Sequence, residues 1–552
     1  MKAISATSNL YYGLRPHQYS AFQSAIEHPY GIVTDTCGSG KSYVEFELIC
    51  NALSTGKKII VLAAHRLDLI SQHISELNEY MRTWHPKLWD TYDMFEISSA
   101  NRSNFKIESI TNRGDIQRAL HGYLHEGRPV VITLCYQSLA NLYAALEGTS
   151  IRIDLMVCDE GHFGMSAEHG RNEAQQLCEN RDVRITKYDM IKFCDSFLVF
   201  TATPFKQTMV TVHDGIRMDI IHSYSYAEAV KDGIVLPFKA KFYRASRNYS
   251  VRSQLGATDS AYNDLKNEFP STSAKLLVCG TSLEYNQLLF NSLVKKYKKQ
   301  ILEGTLAICK VGSSSIDENM DRIPSCEFVD GARLRDANSN GEVEYRLDRK
   351  DDRKNKSKCL QAMHDWIGQK DENGNPVHRD LIVIHCQMLG VGVDIPNLNG
   401  VCILGNKESA DLYQSIMRPC RVAKFDRCKP VEDRLEDHFV VYVHVDEHDA
   451  SPIEQFVNRL KDIGGISLLE SLTLCSALHG SKQKPIDTSA AQAYLTRIIK
   501  LSKVEQSCDA IVFDCAEYEV GLAKLNDLYK KYPEERDYIK SQYTKFNSKF
   551  LY

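Results

Sequence analysis

Val33-Thr34-Asp35-Thr36-Cys37-Gly38-Ser39-Gly40-Lys41-Ser42 passes through three kinds of sequence in one short stretch. An apolar run ends at Val33-Thr34, a loop with two glycines spans 35–40, and Lys41-Ser42 opens a helical stretch reaching about Leu53. Strand, glycine loop and helix N-terminus in that order form a phosphate cradle. Backbone N–H groups of Cys37, Gly38, Ser39 and Gly40 and the positive end of the helix dipole face an anion. The Lys41 ammonium adds a point charge, and the Ser42 hydroxyl is placed to reach Mg²⁺. Such loops ordinarily begin on a small residue, whereas this one begins on Asp35. A carboxylate aimed at a triphosphate is repulsive, so Asp35 is expected to turn away from the nucleotide.

Working outward, Leu155-Met156-Val157-Cys158 reads as a buried parallel strand that ends on Asp159-Glu160-Gly161-His162. Alone, an Asp-Glu pair is most often an acidic turn. Following a phosphate cradle, Asp159 is expected to hold Mg²⁺ through its water shell, and Glu160 to polarise an attacking water. A further apolar run, Phe197-Leu198-Val199-Phe200, delivers Thr201-Ala202-Thr203-Pro204, and Gln414, Arg418 and Arg421 come much later. Each motif is short and common; their order and spacing along one chain describe a nucleotide-driven motor whose arginines come from a second lobe.

In that combination, from about Leu14 to Val443, the chain resembles superfamily 2 helicases of the DExH kind. Within them it is most similar to the group containing restriction-enzyme motor subunits and phage branch-migrating helicases. The resemblance implies an α/β protein of two tandem RecA-like parallel-sheet lobes with ATP in the cleft between them. It implies that Arg15 and Gln18 of Arg15-Pro16-His17-Gln18 serve the adenine, and that His162, Thr201 and Thr203 couple nucleotide state to strand grip. Nucleic-acid contacts would fall to His65-Arg66 after the strand Ile59–Ala63, to Thr133 and Gln137 around the strand Val130–Ile132, and to Gly390. The His65-Arg66 pair suits a solvated loop equally well. Gly392 and Asp394, in Met388-Leu389-Gly390-Val391-Gly392-Val393-Asp394-Ile395-Pro396, would approach the nucleotide, while Gly233 and Pro237 mark the exit from the first lobe. Gln414, Arg418 and Arg421 would act on the phosphates, with Arg421 the first choice of finger. Two departures are Met417, where glycine is usual, and Pro419-Cys420, where small flexible residues are usual. Neither removes a charged group.

The length of 552 residues fits about three domains. The reading assigns 1–240 to the first lobe, 241–270 to a linker, 271–447 to the second lobe with a polar insertion at about 312–358, and 448–552 to a mostly helical region. Hydrophobic content of 43% and charged content of 25% fit a soluble globular protein, and no apolar run reaches the roughly 20 residues of a membrane span. Seventeen cysteines without a Cys-x-x-Cys pair suit a reduced, cytoplasmic protein better than a zinc cluster. A net charge of −4 confines any nucleic-acid surface to a local groove. The basic stretch Arg346–Lys358 reads first as a solvated loop or helix start, and only second as a phosphate-tracking element. The Tyr- and Lys-rich tail from Leu528 to Tyr552 reads first as an amphipathic helix. Asp514, Glu517 and Glu519 lack the following lysine of a nuclease motif. The expected reaction is ATP hydrolysis coupled to movement on nucleic acid, DNA favoured over RNA. An RNA helicase, the motor of a restriction or defence complex, and a nucleic-acid-gated ATPase switch remain as alternatives.

Overall fold

Runs of β-branched and aliphatic residues four to eight long, each closed by a polar turn, form two stacks of parallel strands. The computed structural model describes residues 13–65, 67–98, 108–161, 187–202, 211–213, 215–245, 250–312, 315–316, 322–323, 326–335, 352–374, 377–385, 395, 397–404, 409–423, 426–427, 429–446, 452–476, 489, 492–499 and 530. The first sheet uses β1 (Tyr30–Asp35), β2 (Ile59–Ala64), β3 (Asp93–Ile97), β4 (Glu108–Ile110), β5 (Val130–Cys135), β6 (Leu155–Cys158) and β7 (Phe197–Thr201). A small hairpin of β8 (Thr211–His213) and β9 (Ile216–Met218) precedes its last strand, β10 (Ile220–Tyr224). The order is β10-β1-β7-β6-β2-β5-β3-β4, parallel throughout.

The second sheet uses β11 (Phe238–Ala245), β12 (Lys275–Cys279) and β13 (Leu306–Val311). A two-stranded ribbon, β14 (Ser315–Ile316) with β15 (Arg322–Ile323), comes next. Then follow β16 (Cys326–Val329), β17 (Asp380–His385), β18 (Gly400–Ile403), β19 (Phe439–Asp446) and β20 (Leu472–Ser476). Its order is β16-β13-β17-β12-β18-β19-β11-β20, with only the edge pair β13–β16 antiparallel. Two parallel sheets, each with its own helices, are the two RecA-like lobes expected.

Helices cover both faces of each sheet, so strand residues are buried on alternate sides. In β2, Ile60 and Leu62 join one core with Phe46 and Ile49, while Val61 and Ala63 join the other with Ile132 and Met156. In β12, Leu276 and Val278 pack with Leu289 and Phe290, and Leu277 and Cys279 with Val383 and Val401. The described cysteines are free thiols, most of them buried in these strands and helices.

Three boundaries differ from expectation. Residues 241–270 are not a linker: β11 pairs with β19 and β20, and the helix Val251–Glu268 packs on the second sheet. The preceding connector, with Tyr226, Ala229, Val235 and Leu236, is already part of the second lobe's core. The second lobe runs past 447, because β20 follows the helix Pro452–Glu470 and closes the sheet edge. Part of the stretch from 312 is also ordered sheet, since Cys326–Val329 pairs with β13. For β11 and β20 a mixed sequence hid a strand whose pairing partner lies far along the chain. The nuclease candidates and nearly all of the tail lie outside the described residues.

The N-terminal edges of both sheets are pinned by aspartates. Asp154 Oδ2 accepts the backbone N–H groups of Lys58 and Ile59, each at 2.9 Å. Asp380 accepts the Ala274 N–H at 2.9 Å and the Tyr262 hydroxyl at 2.6 Å. These ends are fixed by structure, which leaves the C-terminal edges to chemistry. Asp154→Ala and Asp380→Ala should each lower stability by about 1–3 kcal/mol, because buried donors lose their acceptor. A lower urea midpoint with unchanged nucleotide affinity is the expected result.

Candidate active site

β1, β7 and β6 are neighbours, and their C-terminal ends deliver the phosphate loop, Thr201 and Asp159 side by side. Gly38 and Gly40 take left-handed φ values of +79° and +86°, a region L side chains rarely adopt. Space requires glycine as well. A Cβ on Gly40 would stand 2.5 Å from Gln18 Nε2, and one on Gly38 3.1 Å from Cys420 Sγ and from Val235 Cγ1.

Gln18 is itself buried against the loop. Its amide donates to the carbonyls of Ser39 and Gly40, both at 3.0 Å, while its Oε1 accepts the Arg15 N–H at 2.8 Å. The amide hydrogens are therefore committed, and the remaining Oε1 lone pair can accept from an exocyclic amine such as that of adenine. His17 Nε2 also bonds to the Ser39 carbonyl at 3.0 Å, with its ring stacked on Tyr224 at 4.2 Å. The helix Pro16–Glu27 is thus fastened to the loop it serves.

Lys41 Nζ donates to the carbonyls of Asp35 at 3.1 Å and Thr36 at 3.4 Å. Burial works against its charge, but Cys37, Glu160, Asp159 and Asp35 nearby hold its pKa above the usual lysine value. Asp35 turns away from the loop as expected, with Oδ1 at 3.0 Å from His222 Nδ1 on β10.

Asp159 and Glu160 share a buried site yet titrate in opposite directions. Burial alone would raise Asp159; the hydrogen bond from His73 and the charge of Lys41 overcome it, and its pKa lies below the usual aspartate value. Burial and the adjacent Asp159 push Glu160 up to about 7. Groups whose surroundings separate their pKa values in this way suit the roles of fixed charge and base. Glu160 also adopts φ +49°, a strained conformation for a side-chain-bearing residue. Gly161 lets the chain leave, since a Cβ there would fall 2.0 Å from Val199 Cγ1. The Tyr136 hydroxyl donates to the Asp159 carbonyl.

The second lobe reaches this site through the helix Ser409–Ile416 and the turn after it. Gln414 is buried in that helix. Arg418 stands close enough for its charge to act on Glu160. The Arg421 Cγ lies 3.5 Å from the position of a Cβ on Gly38. Cys420 Sγ contacts the Cys37 carbonyl at 3.5 Å, and Leu236 N–H donates to the Cys420 carbonyl at 2.8 Å. Val235 and Arg421 form an isolated antiparallel bridge.

Lys41, Ser42, Asp159, Glu160, Arg15, Gln18 and the loop residues are therefore brought together, with Gln414, Arg418 and Arg421 facing them. Thr201 is buried at the end of β7 beside Thr34. Thr133 is a correction. It lies in the middle of β5 between Leu62 and Glu96 with no exposed surface, so it has no access to a strand of nucleic acid. The sequence reading ended the strand at Ile132, whereas β5 runs on to Cys135; Gln137, beyond that end, is exposed. His65 directly follows β2 and is buried. Arg66, His162, Thr203, Gly390, Gly392 and Asp394 lie outside the described residues. Sequence reasoning missed Glu45, His73 and the part played by Tyr136. Glu45 follows Lys41 by one helical turn on an otherwise apolar face, and His73 interrupts the buried stripe Ile70, Ile74, Leu77. Both were visible as polar residues in apolar positions.

Residues 11–206 match the family described as Type III restriction enzyme, res subunit. No curated protein sequence matches the chain. Among solved structures, the ATP-dependent Type ISP restriction-modification enzyme LlaBIII bound to DNA aligns with a TM-score of 0.57 at 14% identity, over 95% of this chain and 35% of that one. A putative HsdR subunit fragment of a type I restriction enzyme from Vibrio vulnificus aligns with a TM-score of 0.46 at 16% identity, over 84% of this chain and 68% of that one. Mss116p bound to ssRNA and AMP-PNP gives 0.49 at 13% identity, over 95% and 82%. This chain thus spans about a third of the length of the LlaBIII enzyme.

With Glu160 as the base and its pKa raised to about 7, the carboxylate forms only as pH rises through that value. The kcat/KM for ATP should therefore fall as pH drops below about 7, since that parameter reports the free enzyme. Glu160→Gln should bind nucleotide and not turn it over. A profile flat from about pH 5.5 to 8 contradicts the assignment.

Proposed function

We propose that the chain is a superfamily 2 helicase core of the restriction-motor group, and that it hydrolyses ATP between its two lobes to move along nucleic acid, DNA in the first instance; the family match over residues 11–206 and the fold shared with LlaBIII support this reading. The observation that carries this reading is the seating of Cys420 and Arg421 of the second lobe directly on the phosphate loop of the first. Hydrolysis then depends on how the lobes sit, and a change at the phosphates changes that seat.

The residues fit a magnesium nucleotide. Gly38 and Gly40 take the left-handed backbone of a tight anion-binding loop at a helix N-terminus; Lys41 keeps its charge and Asp159 keeps its own. Asp159 and Ser42 would hold Mg²⁺, which supplies charge neutralisation at the phosphates when bound. Glu160 accepts the proton of the water that attacks the γ-phosphorus, and Arg418 and Arg421 oppose the charge that develops there. Such an arginine contributes on the order of 10³-fold or more in rate in related phosphoryl transfers.

DNA is favoured because the restriction enzyme that shares the fold is a DNA-bound one. No described helix is long and apolar enough to cross a membrane, and we place the activity in the cytoplasm. Gln137, exposed at the C-terminal edge of the first sheet, is our choice among the described candidates for nucleic-acid contact.

Arg421→Ala should keep nucleotide affinity within a few-fold and lose most of the turnover, because its charge acts on the transition state. Lys41→Ala should lose nucleotide affinity itself. ATPase rates measured with single-stranded, duplex and forked DNA and with single-stranded and duplex RNA should show stimulation by DNA that falls steeply with salt. Stimulation by RNA alone would replace the DNA reading with an RNA one. Stimulation without displacement of a labelled strand would assign a translocase or switch instead of an unwinding enzyme.

A further inference from the structure

Behind the candidate magnesium site lies a closed cluster of Glu45, His73 and Asp159, whose potential ligand atoms are all within 4.8 Å of one another. All three side chains are buried, Glu45 completely. They arrive on three separate elements: the helix Lys41–Ser54, the helix Leu67–Trp84 and the end of β6. His73 Nε2 stands 2.8 Å from Asp159 Oδ2. Two ligands of one tetrahedral metal bonded at 2.0–2.1 Å would stand about 3.3 Å apart, so this contact is a hydrogen bond and not shared ligation.

The direction of that bond follows from the rest of the ring. His73 Nδ1 is buried with no hydrogen-bond partner, and an N–H placed there would be an unsatisfied buried donor. The proton therefore sits on Nε2 and is donated to Asp159. The other Asp159 oxygen, Oδ1, accepts the Glu160 backbone N–H at 2.7 Å. Each carboxylate oxygen thus holds one protein donor and keeps a lone pair for a metal's water shell. With only the Glu160 N–H in place, the carboxylate plane could swing about that single bond. The second donor, on a helix remote from the phosphate loop, fixes it.

We propose that His73 is a positioning residue for the magnesium centre, holding the Asp159 carboxylate in the orientation that binds the hydrated ion. This rests on the ATP-motor reading, and extends it to a residue that touches neither nucleotide nor metal. Partners of this kind typically contribute 10–100-fold in metal affinity or activity.

The test uses the full chain with a non-hydrolysable ATP analogue and Mn²⁺, whose binding is followed by electron paramagnetic resonance. His73→Ala should weaken Mn²⁺ binding in the ternary complex by about tenfold or more while leaving affinity for the metal-free analogue unchanged. Two amides then separate geometry from stability. Gln at this position reaches the place of Nε2 and should recover most of the affinity, whereas Asn puts its donor at the place of Nδ1 and should not. The magnesium concentration for half-maximal ATPase should shift in the same order. Equal Mn²⁺ affinity in the Gln and Asn proteins, or wild-type affinity in His73→Ala, overturns the inference and leaves the motor reading standing. Wild-type protein that binds no Mn²⁺–nucleotide overturns both. A stoichiometric transition metal retained by wild type and lost from His73→Ala also overturns it, since the cluster would then be a metal site in its own right.

Discussion

At Gly38 the phosphate loop touches the other lobe. The space a Cβ would need is already taken by Cys420 and Val235, with the Arg421 stem beyond them. Contact this close makes the loop a part of the interface between lobes and not merely a cradle within one. Any anion seated on the loop must share that boundary with Arg421, so nucleotide binding and lobe position act on the same few atoms. The left-handed backbone at Gly38 and Gly40 is what makes the approach possible, and the close packing of Gln18 on Gly40 ties the helix Pro16–Glu27 into the same loop.

The charges around this point are arranged to need one another. Lys41 lies among Asp35, Asp159 and Glu160, and each of these favours its ammonium. Asp35 would bring its own repulsion to a triphosphate, but its side chain is taken by His222 on β10. The odd first residue of the loop thus links the edge strand β10 to β1, with its carboxylate turned from the phosphate position. Of the neighbouring carboxylates Asp159 and Glu160, only Glu160 is held near neutrality, because burial and Asp159 both work against its charge.

Much of this was legible in the sequence, and for a physical reason. Strands buried on both faces must be continuous apolar runs, so Ile59–Ala64, Val130–Cys135, Leu155–Cys158 and Leu306–Val311 stand out without any partner being known. Phosphate chemistry needs glycine, lysine and carboxylate at strand ends, and those residues are short-range signals. What the sequence hid depends on long-range pairing. Strand β20 is recognisable only from its register with Phe238–Phe242, and β11 carries alternating lysines that look like surface until Lys239 and Lys241 are seen paired with Glu268 and Asp264. Thr133 and Gln137 sit four residues apart, yet burial separates them completely. No local pattern says where a strand ends to within that distance.

The same argument explains why His73 escaped notice. A histidine in an apolar helical stripe is most often a satisfied core residue, and nothing within its own helix says otherwise. Its meaning comes from Asp159, 86 positions later in the chain. The connector from Ser225 to Pro237 makes the corresponding point between lobes. Its capped helix and the left-handed Gly233 aim Val235 and Leu236 at Cys420 and Arg421, while its apolar residues belong to the second core. The segment that leaves the first sheet therefore travels with the second lobe and presses its arginine turn onto the phosphate loop. Movement between the lobes must pass through this junction, because here the covalent connection, the arginine-bearing turn and the nucleotide loop are in contact.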